Sequence, residues 1–237
     1  MDKNIFEMFS DLSSDFDEKY RKDKNFFQRI NCWTEAIGKY VKKDMLVYDI
    51  GCGSGVFSFF TASKGARVTG MDGSKGMINL CNQKLNEATD KSGKQLQFVQ
   101  QILPLPESAS FEKGELILCS SVFEYIMDTD QMIATFKSLL NNHGMLLLSV
   151  PNKNSIYRKA EKIGFALLNK PSYLKHVCNR YSYQQLVQLF EQHQFVACNK
   201  YYYADNYFLS GILKMIFPEK YISNLILVEF KLNQNKN

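Results

Sequence analysis

The sequence predicts an α/β protein built on a doubly wound sheet, mostly parallel and finished by a terminal antiparallel strand pair. Three observations carry this expectation. Between residues 45 and 150, short and uniformly apolar runs alternate with stretches of helical period, the pattern of a parallel sheet covered by helices on both faces. The first of these runs ends at Asp49 and passes straight into Gly51, Gly53 and Gly55, a spacing suited to a tight turn from strand to helix. Two further strand-like runs, 195–203 and 225–232, come late in the chain on either side of an apolar insert, which sets an antiparallel pair at the border of the sheet.

Each element has its own signal. Residues 25–42 place Phe26, Phe27, Ile30, Trp33, Ile37 and Val41 at three- and four-residue steps, an amphipathic helix. Met45–Ile50 is the first strand, and the helix behind it runs from Gly53 to Ser63. Ala66–Met71 is the second strand, ending against Asp72, and Ser74 is placed to cap a helix that reaches Glu87. Leu96–Gln100 and Leu116–Cys119 are the third and fourth strands. Asp130–Leu140 reads as a helix closed near Gly144, and Met145–Val150 as a fifth strand stopped by Pro151. The stretch 152–180 is long, basic and mostly without strand character. Within it, Ser155–Asn169 sets Ile156, Ala160, Ile163 and Leu167 on one helical face and Arg158, Lys159 and Lys162 elsewhere, a basic amphipathic helix. A helix over Ser182–His193, a strand over Phe195–Tyr203, an irregular apolar insert over Tyr207–Ser223 and a last strand over Leu225–Leu232 complete the chain.

Composition bounds the function. A chain of 237 residues with 45% hydrophobic content can bury one substantial core. No run approaches the ~18 apolar residues of a membrane span, and the first residues are too acidic for a signal peptide, so a cytoplasmic location is expected. The six cysteines form no C-x-x-C pair and read as reduced thiols. No His/Asp/Glu cluster suggests a metal. The net charge of +5 is unevenly spread: residues 1–150 carry 17 Lys+Arg against 19 Asp+Glu, net −2, and residues 151–237 carry 12 against 5, net +7. Such asymmetry fits a solvated surface, an anionic substrate, an anionic membrane face or a nucleic acid.

The glycine loop is also the chemical signal. Asp49, at the end of the first strand, can accept hydrogen bonds from loop N–H groups and from a ligand ammonium. Asp72 ends the second strand 19 residues after Gly53, where a carboxylate can take both hydroxyls of a ribose. Ser120 and Ser121 end the fourth strand, at the carboxyl edge where ligands of open α/β sheets collect. The dinucleotide fingerprint G-x-G-x-x-G would demand a glycine at Val56, and no lysine is set for a phosphate.

The motifs D-I-G-C-G-S-G at 49–55, V-T-G-M-D-G-S at 68–74, L-I-L-C-S-S-V-F-E-Y at 116–125 and M-L-L-L-S-V-P-N at 145–152 resemble the class I S-adenosylmethionine-dependent methyltransferases. Within that family they are similar to the small-molecule branch that includes ubiquinone-biosynthesis O-methyltransferases. The resemblance covers roughly residues 45–200 and implies a Rossmann-like, seven-stranded fold with S-adenosylmethionine as cofactor. It implies that Asp49 and the loop Gly51, Cys52, Gly53, Ser54 and Gly55 wrap the methionine half of the cofactor. Asp72 would bind the ribose, Gly73 and Met77 would border the adenine, and the fourth-strand end at Ser120 and Ser121 would face the sulfonium. After the third strand the family usually carries an acidic acceptor for the adenine amino group, and here Gln101 and Ile102 occupy that place. Losing a charged acceptor there costs about 1 kcal/mol. Tyr125 stands where relatives often carry His.

The remaining candidates lie outside the motifs. Tyr20 and Arg29 precede the core and are expected to cap the carboxylate end of the cofactor. Methyl transfer to a hydroxyl needs alignment and removal of a proton, and of the three histidines His176 is the best-placed base, because His143 and His193 sit at helix ends. Tyr203 and Tyr207, in an alternating aromatic run, are expected with Tyr125 to wall an apolar substrate pocket. The organisation expected is an N-terminal helical cap over 1–44 and a methyltransferase domain over 45–237, with inserts 152–180 and 204–224 forming a substrate lid. The acceptor expected is a small aromatic or hydrophobic metabolite, methylated on oxygen first and nitrogen second. The rivals are a lipid-like acceptor reached through peripheral membrane contact, and a catalytically silent cofactor-binding protein. No nucleic-acid partner is expected, because S-S-V-F-E-Y lacks an element to hold a flipped base.

Overall fold

The computed structural model describes residues 3–11, 22–88, 95–168, 172–207 and 209–233. Its strands are β1 (Leu46–Ile50), β2 (Arg67–Asp72), β3 (Leu96–Gln100), β4 (Gly114–Ser120), β5 (Leu140–Pro151), β6 (Phe195–Tyr203) and β7 (Leu225–Leu232). They form one sheet in the order β3-β2-β1-β4-β5-β7-β6. The first five strands run parallel, and β7 is antiparallel to both β5 and β6. The chain enters in the middle at β1, winds out to β3 and returns to β4, so the strand order reverses between β1 and β4. Connections diverge at such a point and leave a crevice beyond the carboxyl ends of the strands. The register sets Ile50 beside Cys119 and Asp49 beside Leu118, which brings the ends of β1 and β4 to the same edge.

The helices are α1 (Lys3–Asp11), α2 (Lys24–Tyr40), α3 (Val56–Ser63), α4 (Lys75–Glu87), α5 (Thr129–Leu139), α6 (Ile156–Leu168), α7 (Tyr183–Glu191), α8 (Ser210–Ile216) and α9 (Glu219–Ile222), with single 3-10 turns at Phe123–Tyr125 and Ser172–His176. On one face Trp33, Ile37, Phe57, Ile78 and Cys81 pack on Val47, Val68 and Leu118. On the other, Phe123, Phe136, Leu186 and Phe190 pack on Ile50, Ile117, Leu148 and Phe230, with Phe190 and Phe230 stacked at 4.5 Å. Both faces of the parallel strands are therefore dry, which is why those strands read as unbroken apolar runs. Helix starts are fixed by side chains: Asp23 accepts from Asn25 N (2.7 Å), Ser74 Oγ from Met77 N (3.2 Å) and Asp128 from Gln131 N (2.9 Å), while Ser182 and Gln185 form a capping box.

Two expectations need correction. The helix placed over 130–140 and closed near Gly144 stops at Leu139, because Leu140 turns to extended backbone and enters β5 directly, buried and paired with Gly114. The insert 207–223 is not irregular: it holds α8 and α9, each too short to show a helical period over the windows in which that signal is read. Within the stretch 1–44, residues 3–11 form α1, whose Ile5 is buried and whose Phe6 lies on Gly73.

Candidate active site

The turn after β1 is made by backbone geometry. Gly51, Gly53 and Gly55 all take positive φ (+68°, +53° and +79°), where side chains are disfavoured. Gly51 N and Cys52 N donate to Met71 O (2.7 and 3.0 Å), so the loop is pinned to the end of β2. The Asp72 carboxylate then accepts from Gly53 N (2.9 Å) through Oδ2 and from Ser74 N (2.8 Å) through Oδ1. Asp49 does not tie the loop by these bonds: its Oδ2 accepts from Ser58 Oγ (2.5 Å) in α3. A Cβ on Gly51 would stand 2.1 Å from Val122 Cγ2, whereas one on Gly53 would meet nothing within 4 Å. Gly51 is small because a neighbour crowds it, and Gly53 borders open space.

That space is a cavity of about 670 Å³ at the crevice between β1 and β4. One wall is the loop with Asp72, Gly73 and Met77. The base is Ser120, Ser121, Glu124 and Tyr125, and α1 and α2 contribute Phe6, Phe9, Phe26 and Arg29. The far wall comes from α6 and its flanks, with Arg158, Lys159, Lys162, Tyr173 and Arg180, and from Tyr207. Arg29 Nη2 donates to Ser120 O (2.9 Å) and Oγ (2.7 Å), joining α2 to the end of β4. Phe9 meets Tyr125 edge-on at 5.8 Å. Arg158 Nη1 donates to Glu161 Oε2 (2.7 Å) and Tyr173 Oη (2.9 Å), and Tyr173 donates to the same carboxylate.

Burial dominates the electrostatics. It pushes Asp49 up to about 7 against the opposing Ser58 hydrogen bond, and pushes Glu124 up to about 7 even though the Arg29 and Arg158 charges pull it down. Burial raises the Asp72 carboxyl and the Tyr125 phenol as well. Among the described residues, Glu124 Oε2 is buried with no hydrogen-bond partner, as are Ser54 Oγ and Ser121 Oγ. Three orphaned polar atoms lining one cavity mark a site shaped for a polar ligand, since such groups are otherwise satisfied.

Of the residues singled out in the sequence, Arg29, Asp49, Gly51, Cys52, Gly53, Ser54, Asp72, Gly73, Met77, Ser120, Ser121, Tyr125 and Tyr207 all line this cavity. Others do not. Gly55 lies behind the loop, its missing Cβ 3.1 Å from Cys81, Phe59 and Phe98. Gln101 donates from its side chain to Ile102 O, Ile102 is exposed, and Leu103 takes the cavity wall instead. Tyr203 is buried with its hydroxyl accepting from Trp33 Nε1 (3.1 Å). His176 ends its 3-10 turn half-buried, with Leu174 and Val177 on either side of it lining the cavity in its place. Tyr20 lies outside the described residues. Glu124, Phe6, Phe9 and Tyr173 were missed. For Glu124 the signal was present as a lone carboxylate inside an apolar stretch directly after a strand. For α1 it was Ile5, Met8 and Phe9 at helical spacing.

The fold agrees with comparisons to known proteins. Residues 48–146 match the family model described as a methyltransferase domain. The chain is 31% identical over 120 residues to a ubiquinone biosynthesis O-methyltransferase of Haemophilus ducreyi, covering 51% of this chain and 50% of that protein. It is 26% identical over 159 residues to the enzyme of the same name from Coxiella burnetii, covering 65% and 64%. The chain thus spans between half and two-thirds of the length of these curated relatives. Among solved structures, magnesium protoporphyrin IX methyltransferase from Synechocystis PCC 6803 with bound SAH is similar at a TM-score of 0.69 and 19% identity, over 97% of this chain and 99% of that one.

Proposed function

We propose, from the premise that residues 48–146 are a class I S-adenosylmethionine-dependent methyltransferase domain, that the chain transfers a methyl group from that cofactor to the oxygen of a small aromatic or hydrophobic acceptor. One observation carries the reading: the glycine loop tied to Asp72 opens into the same cavity as the buried Glu124 carboxylate, whose Oε2 has no hydrogen-bond partner among the described residues. When bound, the cofactor supplies an electrophilic methyl group on a cationic sulfur. The residues fit it: Gly53 leaves room for close approach, Asp72 sits where ribose hydroxyls are accepted, and Ser54 and Ser121 keep unused polar atoms.

The rest of the task falls to the chain. Phe9, Phe26, Leu174 and Tyr207 give the acceptor an apolar surround that holds it and keeps water out. A hydroxyl becomes a good nucleophile as its proton leaves, and Glu124, with a carboxyl pushed up to about 7 in a dry site, is suited to take that proton. His176, outside the cavity lining, is the less suited base.

Calorimetry with S-adenosylmethionine and S-adenosylhomocysteine, followed by labelled-methyl transfer to matched panels of phenols and aromatic amines, tests the proposal. Binding, transfer to phenols and a loss of at least about 100-fold in kcat for Glu124→Gln are expected. Absence of binding by either cofactor form at millimolar concentration ends the reading, and transfer to amines alone overturns the assignment to oxygen.

A further inference from the structure

We propose that the α8–α9 segment is a docking face for an anionic lipid surface, set at the mouth of the cavity. Helix α8 buries none of its residues. Ile212, Met215 and Ile216 are 58%, 87% and 66% exposed, and Leu209 and Phe217 at the two ends of the helix are exposed as well. A single exposed apolar residue is ordinary, but five within nine positions of one segment mark a contact surface. Helix α9 packs on both α8 and α6, Tyr157 of α6 meets Tyr207 at 4.6 Å, and α6 adds Ile163 at 64% exposure.

Cations accompany the apolar residues: Lys159 and Lys162 on α6, Lys214 on α8 and Lys220 on α9 are all exposed. They belong to the part of the chain, 151–237, that carries the +7 excess. This charge decides the occupant. A second copy would bring the same positive face and repel, whereas an anionic bilayer interface takes aliphatic side chains into its acyl boundary and lysines among its headgroups. The face is continuous with the cavity, because Lys159, Lys162 and Tyr207 also line it. Docking therefore turns the cavity mouth toward the lipid, and an acceptor with a lipophilic part reaches the site from the membrane. That last consequence rests on the proposed methyl transfer, while the docking itself does not.

Sedimentation of the full chain with vesicles of phosphatidylcholine containing about one-third phosphatidylglycerol, beside pure phosphatidylcholine vesicles, tests this. Binding to the anionic vesicles that weakens with salt is expected. Ile212→Ser/Met215→Ser/Ile216→Ser should lower the partition at least tenfold, with unchanged circular dichroism and S-adenosylhomocysteine affinity. Lys159→Gln/Lys162→Gln/Lys220→Gln should lower it tenfold or more at low salt and little at high salt. No sedimentation by a folded protein that binds S-adenosylhomocysteine overturns the proposal, as does equal binding to neutral vesicles. A concentration-dependent dimer abolished by the apolar triple variant assigns the face to a second copy and overturns it too. Vesicle binding by a protein that fails to bind S-adenosylhomocysteine would leave docking standing and remove the methyl-transfer reading.

Discussion

The two halves of the cavity are built by different means. Over β1 and β2 the wall is set by backbone: the positive-φ glycines Gly51 and Gly53, two N–H groups held by Met71 O and two held by Asp72, all within 24 residues of one another. Over β4 and beyond, the wall is side chains from α1, α2, α6, the turn before Cys178 and Tyr207, brought together from both ends of the chain. Backbone-made sites tolerate few residue types and leave a spacing in the sequence. Side-chain-made sites depend on tertiary docking and leave no such trace.

The sharpest break in this comparison is Gly51→Ala. An alanine held at φ +68° costs ~1–2 kcal/mol, and its Cβ would sit 2.1 Å from Val122 Cγ2, an overpacking of ~1–3 kcal/mol more. Denaturant unfolding should show a loss of ~2–5 kcal/mol, with S-adenosylhomocysteine affinity down by roughly two orders of magnitude as the loop shifts. Gly51→Ala/Val122→Ala should cost less than the sum of the two single changes, because the clash is gone, yet stay below Val122→Ala by the backbone cost. Full recovery would mean that the loop relaxes freely and its geometry is not set by φ.

This difference explains what could be read in advance. Strand positions and the glycine loop follow from local rules, and β3, β6 and β7 fall on the expected residues. Which carboxylate ties the loop does not: Asp49 and Asp72 both end strands, and only the approach of β2 to the loop gives the N–H groups to Asp72 while Asp49 turns to Ser58. The acceptor half failed more often. His176 is the histidine left once His143 and His193 are set at helix ends, but here Leu174 and Val177, on either side of it, line the cavity. Glu124 lies within the motif at 116–125, and what sets it apart, its burial and an Oε2 with no partner among the described residues, arises only in the folded chain.

The acid-base behaviour of the two halves gives a smaller but more selective effect. Glu124 has its folded pKa raised from 4.5 to about 7, so folding favours the protonated form. Its stabilising share is complete below about 4.5 and is lost as pH climbs through about 7. Asp49, raised from 3.8 to about 7, adds a slope of the same sign. The unfolding free energy should therefore fall between pH 5 and pH 8, and Glu124→Gln should lessen the fall by ~1–3 kcal/mol, with little change at pH 4. Ionised Asp49 and Glu124 also favour a cationic sulfur nearby. S-adenosylmethionine affinity should rise severalfold from pH 6 to pH 8, and that of the uncharged-sulfur product should rise less. Equal pH dependence for the two would place both carboxylates out of reach of the sulfur.

The smallest effect separates two tyrosines that look alike in sequence. Tyr203 and Tyr207 belong to one aromatic run, yet only Tyr207 lines the cavity, while Tyr203 accepts the indole N–H of Trp33 beneath α2. Tyr203→Phe leaves that buried donor without a partner, a loss of ~1–2 kcal/mol in unfolding free energy, and leaves KM for the acceptor unchanged. Tyr207→Phe gives up the bond from Asn224 Nδ2 (2.7 Å) at a more exposed position, a loss below ~1 kcal/mol, and should shift KM severalfold. Trp33→Phe/Tyr203→Phe should cost less than the sum of the two single changes, because either alone breaks the same bond. If Tyr203→Phe instead moves KM while stability holds, its hydroxyl serves the acceptor, and the far wall of the cavity extends down β6 beneath α2.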